Sequence, residues 1–274
     1  MRYFLILFLA LSLNVAAQFN DAQTAFLNGQ YDKAISLIEA DESPAALLLK
    51  ADALHKMEKL EEALEMYNLA EDASSDDPNL FLNRGICLST LGYTTAAEDD
   101  LLQFHLLNPN HPKVHYYLAV VDYLDENLRE ALFHLDEALK LEDGYMEAHY
   151  LKGAVFVAQN KMISAKEAFE SCLQIDPQNT RTLLNLGITM LESYEFAEAI
   201  ETFNEVMKKD ESLIAEALYY RGLANNGLHL KEEACADWNE AAKAGDEYAD
   251  ELVTQVCIKG KKPSRKQRKT IASF

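Results

Sequence analysis

The sequence predicts an all-α chain of stacked helical hairpins, and three rows of residues carry that prediction. Small residues recur at a fixed step: Gly85, Ala119, Gly153 and Gly187 are 34 residues apart, and Gly222 follows after 35. A second row keeps the same register, with Ala63, Ala97, Ala131, Ala165 and Ala199 again 34 apart and Ala234 after 35. The third row is bulky: Tyr67, Leu101, Leu135, Phe169, Phe203 and Trp238 each stand four residues after an alanine, on the same helix face. Two antiparallel helices approach closely only where one side is small, and the expectation is that a large residue of the next hairpin fills the gap that remains. The long Ala/Leu/Glu/Lys-rich stretches between 10 Gly and 6 Pro lack the Val, Ile and Thr runs of a sheet protein.

These rows resemble the tetratricopeptide repeat family, whose 34-residue unit carries a small residue in its first helix (A), another opening its second (B), and often a closing proline. Pro109 and Pro177, two units apart, fit that proline, while Asp143 and Glu211 take its place in alternate units. The resemblance covers most of the chain and implies a right-handed α-solenoid of about seven antiparallel helix hairpins with a C-terminal capping helix. Units are placed at about 44–77, 78–111, 112–145, 146–179, 180–213 and 215–248, with a truncated one at 18–43 inferred from Asn28-Gly29-Gln30-Tyr31-Asp32-Lys33-Ala34, which matches the family's inter-helix turn. A solenoid must cover its last apolar face, so residues 247–258 are read as a single capping helix. Tyr248, Leu252, Val253 and Val256 turn inward, and Asp246, Glu247, Asp250 and Glu251 face water.

The two ends have a different character. Residues 1–17 combine Arg2, an apolar run over Tyr3–Leu13 and the small exit Val15-Ala16-Ala17, the pattern of a cleaved signal peptide; a retained anchor is the alternative, though the run is short of the roughly 20 residues a span needs. Residues 259–274 hold seven Lys and Arg and no acid, and are expected to form a disordered basic tail. The body between, 18–258, carries 17 basic against 45 acidic residues, a net of −28. That balance excludes nucleic-acid binding through the folded body and is compatible with a basic partner.

By the resemblance, helix A of each unit faces a concave groove. The inward positions give as partner-binding candidates Asn79, Asn83, Lys113, Tyr116, Tyr123, Glu147, Tyr150, Arg181, Asn185, Tyr219 and Asn226. Tyrosine offers a rigid ring with a polar tip, suited to gripping an extended peptide or a helix. The alternative is that rings such as Tyr117 and Tyr220 only pack between consecutive A helices. Some family members grip a C-terminal carboxylate with Lys and Asn, but Lys113 and Arg181 sit two units apart instead of in adjacent ones.

Cys235 and Cys257, 22 residues apart, either form a disulfide clamping the cap or remain thiols; Cys87 and Cys172 are read as small core residues. His105, His111 and His115 could recruit a metal near the Asn108–Asn110 loop, but ordinary surface histidines are the expectation. No phosphate-cradling glycine loop, Ser/His/Asp arrangement or HExxH is present, so no enzymatic role, no metal and no cofactor is expected. The function read from the sequence is a protein-interaction scaffold or adaptor in the cell envelope, holding a protein or peptide in the A-helix groove. Its expected location is the periplasm or the outer membrane, with secretion to the medium as the lesser reading. The competing function is tethering of the acidic solenoid to an anionic membrane or polyanion through the basic tail.

Overall fold

The computed structural model describes residues 16–75 and 77–259, and no strand occurs among them. In chain order the helices are α1 (16–27), α2 (Tyr31–Leu37), α3 (Pro44–Lys56), α4 (Leu60–Asp72), α5 (Asn79–Thr90), α6 (Thr94–Leu107) and α7 (Pro112–Leu124). Next come α8 (Leu128–Leu141), α9 (Met146–Ala158), α10 (Met162–Ile175), α11 (Thr180–Glu192), α12 (Phe196–Lys209), α13 (Ile214–Gly227), α14 (Lys231–Lys243) and α15 (Glu247–Leu252). The chain divides after Glu126 into an N-terminal and a C-terminal compact unit. The proposed signal segment lies outside the described residues except for Ala16 and Ala17, which open α1, and the basic tail lies outside them except for Lys259.

Each A-to-B turn closes on one left-handed residue, as a sharp reversal of two helices demands. Gly92 adopts φ +81°, but Glu58 (+60°) and Tyr194 (+64°) take the same conformation with a side chain. The turn is held by 6→1 backbone bonds, such as Tyr93 N–H to the Leu88 carbonyl (2.9 Å) and Glu195 N–H to the Met190 carbonyl (2.9 Å). Two of the A helices are capped by a side-chain oxygen: Asn179 accepts from the Thr182 amide at 2.8 Å, and Ser43 accepts from the Ala46 amide just ahead of Pro44. The shortened first hairpin is tied by Lys50, whose nearly buried ammonium donates to the Glu39 (3.0 Å) and Asp41 (2.7 Å) carbonyls in the connection that follows α2.

The small and bulky rows meet inside single hairpins, which corrects the expectation that the large residue comes from the next one. A β-carbon on Gly153 would lie 2.5 Å from the Phe169 ring, on Gly187 2.7 Å from Phe203, and on Gly222 2.4 Å from the Trp238 indole nitrogen. Each pair is 16 residues apart, in the A and B helices of one unit. The hairpin packs on itself first, and neighbours then cover its flanks. Gly153→Ala therefore lowers stability by about 1–3 kcal/mol through overpacking, read by chemical denaturation. Adding Phe169→Leu recovers part of the loss, whereas an unchanged midpoint would show that α9 and α10 can part freely.

At the C-terminus the expected single helix is two pieces, α15 and a π-helical segment, Val253–Ile258, closed by the Lys259 amide on the Thr254 carbonyl (3.2 Å). Ala249, Leu252 and Val256 enter the core with Trp238, while Tyr248 stays partly exposed with its ring 6.3 Å from Tyr219. Asp246 does not face water: it is 5% exposed and caps α15 by accepting from the Ala249 amide at 2.9 Å, because a buried helix start needs an acceptor. Cys257 is joined to Cys235 of α14 in a disulfide, with α-carbons 5.8 Å apart. The bridge closes a 22-residue loop, worth about 3 kcal/mol in the chain-entropy account. Cys257→Ser is expected to cost that much, measured by denaturation without reductant, and to give a curve that added dithiothreitol no longer shifts. Cys87 and Cys172 are free and fully buried, and burial pushes the Cys87 thiol up to about 11.

Candidate functional site

The A helices of the C-terminal unit bring four side chains into a polar ladder. Asn185 of α11 donates its amide to the Tyr150 hydroxyl of α9 at 2.7 Å, and Arg181 of α11 donates to Glu216 of α13 at 3.2 Å. Both contacts span 35 residues, one repeat, so they join the same helix in consecutive units. Burial raises the Tyr150 hydroxyl pKa, and the Asn185 bond opposes that shift. Arg181 is half exposed, Glu147 is exposed at the start of α9, and Asn226 is half-buried near the end of α13.

Two of the groove candidates are core residues instead. Tyr219 is 5% exposed and packs edge-on against Tyr220 (5.0 Å between ring centroids), under the cap. Tyr116 is 8% exposed, with Tyr117 against its edge at 5.0 Å. In these two units the packed neighbours cover the ring, and tyrosine fills such a space as readily as it would grip a ligand.

In the N-terminal unit Asn79 is exposed and turned onto Asp77 (2.9 Å), Lys113 is exposed on α7 and Tyr123 is half-buried. Asn83 is committed to an acid: its amide donates to Asp52 Oδ1 of α3 at 2.9 Å, and the Tyr67 hydroxyl donates to the same oxygen at 2.8 Å. His55 Nδ1 lies 3.4 Å from that hydroxyl. Asn83 thus faces a carboxylate already in place, and Arg181 faces Glu216, so neither is set to receive an incoming carboxylate.

Sequence reasoning did not single out Asp52, Tyr67 and His55 as a site, yet a signal was there. Residues at the Asp52 register in the other units are Ile86, Val120, Ala154, Ile188 and Leu223. It also passed over two arginines, each just before a small-row glycine. Arg84 clasps Asp100 through two bonds (2.7 and 2.8 Å) and reaches Glu71 and Asn68 of the preceding hairpin. Arg221 repeats the pattern with Asp237 and Asn204.

The His105 and His115 rings stand 4.9 Å apart and His111 packs on Phe104. Among the described residues no group of three or more His, Cys, Asp or Glu is placed to hold a metal ion, and no helix is long and apolar enough to cross a membrane.

Comparison with known proteins agrees with this architecture. Residues 156–219 match the family model described as tetratricopeptide repeat, and residues 8–70 match one described as anaphase-promoting complex, cyclosome, subunit 3. The DnaJ homolog subfamily C member 7 homolog of Schizosaccharomyces pombe is 28% identical over 63% of this chain and 41% of its own length. Human protein O-mannosyl-transferase TMTC3 is 27% identical over 57% of this chain and 19% of its own. The chain spans less than half the length of either relative. A tetratricopeptide repeat protein from Parabacteroides merdae superimposes with a TM-score of 0.65 at 17% identity, covering 88% of this chain and 98% of that one. A crystal structure of YrrB, described as a TPR protein with an unusual peptide-binding site, gives 0.50 at 21% identity over 74% of this chain and 97% of its own. Residues 156–219 thus carry the tetratricopeptide repeat, and the all-α hairpin fold is that of tetratricopeptide-repeat proteins, a fold that generally serves protein–protein interaction.

Proposed function

We propose that this protein is a non-enzymatic scaffold or adaptor of the cell envelope that holds a protein or peptide segment on its A-helix faces. The observation that carries the reading is the ladder of Tyr150, Asn185, Arg181 and Glu216, a strip of hydrogen-bonding and charged groups presented by consecutive A helices. Such a strip can exchange its internal bonds for those of an extended main chain at little cost. The peptide-binding site described for YrrB supports the same use of the fold. Export rests on the signal-like pattern of residues 1–17, and the −28 body favours a basic partner through long-range attraction.

The test is affinity capture from envelope extract at low and high salt with three proteins: the wild type, a Glu147→Ala/Arg181→Ala/Asn185→Ala variant, and a deletion of 259–274. The variant avoids Tyr116 and Tyr219, whose removal would damage the core. A partner captured by the wild type and the deletion but lost by the variant supports the reading. Capture that depends on 259–274 alone moves the function to the basic tail, as a tether to an anionic membrane or polyanion. Mature N-terminal sequencing tests export, with Gln18 as the expected first residue.

A further inference from the structure

We infer that Asp52, braced by Tyr67 and Asn83, forms a subsite on the N-terminal unit for a cationic side chain, arginine or lysine, of a bound protein. The inference rests on the protein-binding reading above and assigns to it a ligand chemistry and a place.

The repeat itself does not ask for a carboxylate here. The same register holds Ile86, Val120, Ala154, Ile188 and Leu223 in the other units, so an aliphatic residue satisfies the packing. The bulky row departs at the same spot: its members are Leu101, Leu135, Phe169, Phe203 and Trp238, but Tyr67 brings a hydroxyl through to the A-helix side. Two departures from the repeat that meet in one hydrogen bond mark a site that the fold alone leaves unexplained.

Satisfying the Tyr67 hydroxyl is not reason enough for a charge. His55 Nδ1 already lies 3.4 Å from it, and a neutral amide would serve without the cost of desolvating a carboxylate. The bonds that Tyr67 and Asn83 donate to Asp52 fall on the same oxygen, Oδ1. They fix the plane of the carboxylate and leave Oδ2 as its remaining acceptor on a side chain that is only half-buried. Among the described residues no lysine or arginine forms an ion pair with Asp52. The charges that act on it are Asp77, of the same sign, and more weakly Lys56. Burial raises its proton affinity above that of an ordinary aspartate, and the like charge of Asp77, which adds to that rise, also attracts a cation able to reach Oδ2. A guanidinium or ammonium group donates to a carboxylate and neutralises it at once. Asn83 belongs to α5 and Asp52 to α3, so the brace joins two consecutive A helices and holds the subsite rigid.

The experiment is an NMR titration of the isotope-labelled full chain with Nα-acetyl-arginine amide, with the isosteric but neutral Nα-acetyl-citrulline amide in parallel. The expected result is a saturable shift of the Asn83 side-chain amide and a fall in the Asp52 pKa with the arginine probe only. Asp52→Asn, checked for folding by circular dichroism, weakens binding by about tenfold or more, the scale of one charge-assisted hydrogen bond. An equal response to citrulline, a shift that never saturates, or undiminished binding by Asp52→Asn overturns the proposal. The two-probe comparison on the wild type decides the matter even if the variant fails to fold. The capture test above uses residues of the C-terminal unit, so a failure of this subsite is told apart from a failure of the protein-binding reading on which it rests.

Discussion

Trp238→Ala lowers the stability of the C-terminal unit by about 3–5 kcal/mol, the range for emptying the largest kind of core site. Trp238 is fully buried and sits in one cluster with Tyr219, Tyr220, Ala241 and the cap residues Ala249, Leu252 and Val256. Its indole covers Gly222, and its N–H donates to the Tyr219 carbonyl at 3.1 Å. The space left by the indole resists collapse, because Gly222 has no side chain to offer and the disulfide holds the cap to α14. Trp238→Phe places in this hairpin the residue that Phe169 and Phe203 supply in theirs, so most of the stability returns. Trp238 is the sole tryptophan, which makes its fluorescence a reporter of this unit in the wild type and requires circular dichroism for the variants. A loss below about 1 kcal/mol would mean that the cap repacks onto α13 without the indole.

The hairpins were legible in the sequence because their cause is periodic. Gly153 and Phe169 recur as Gly187 and Phe203, and a 34-residue step has no other economical reading. What periodicity could not supply was the side of contact. Residues 16 apart within a unit and 18 apart across units are both compatible with the rows, and only the built hairpin shows Phe169 against its own Gly153. Tyrosines at inward positions were ambiguous for a related reason: Tyr150 and Tyr219 share a register, yet the cap arriving beside α13 buries the second and leaves the first with a hydroxyl for Asn185. The cap's π-helical end was invisible because Leu252 and Val256 have the spacing of an ordinary α-helix. Asp52 was overlooked because a search for shared residues passes over one that a single unit changes, and Arg84 because its register alternates, with Leu118 and Leu186 between Arg84, Lys152 and Arg221.

Arg84→Met is expected to cost about 3–5 kcal/mol, not because the ion pair is itself a large source of stability but because Asp100 would be left behind. Asp100 is 6% exposed, and both its oxygens are taken by the guanidinium, which Glu71 and Asn68 orient from the preceding hairpin. Those hydrogen bonds, with Asp100 foremost, hold the Arg84 pKa far above its ordinary value, so no accessible pH discharges the arginine. A buried carboxylate without its partner must then be hydrated, protonated or expelled, and each route opens the seam between α5 and α6. The unit at 180–213 shows that the fold does not need the charges: Leu186 and Thr202 stand where Arg84 and Asp100 stand here, and Leu186 is buried. The double variant Arg84→Leu/Asp100→Thr should therefore recover most of the loss of the single one in a denaturation cycle. If it does, the arginine's contribution lies in fixing which hairpin sits against which, since its guanidinium reaches α4 and α6 together. If the double variant is as damaged as the single, the network carries net stability, and the same would hold for Arg221, whose guanidinium joins Asn204 of α12 to Asp237 of α14.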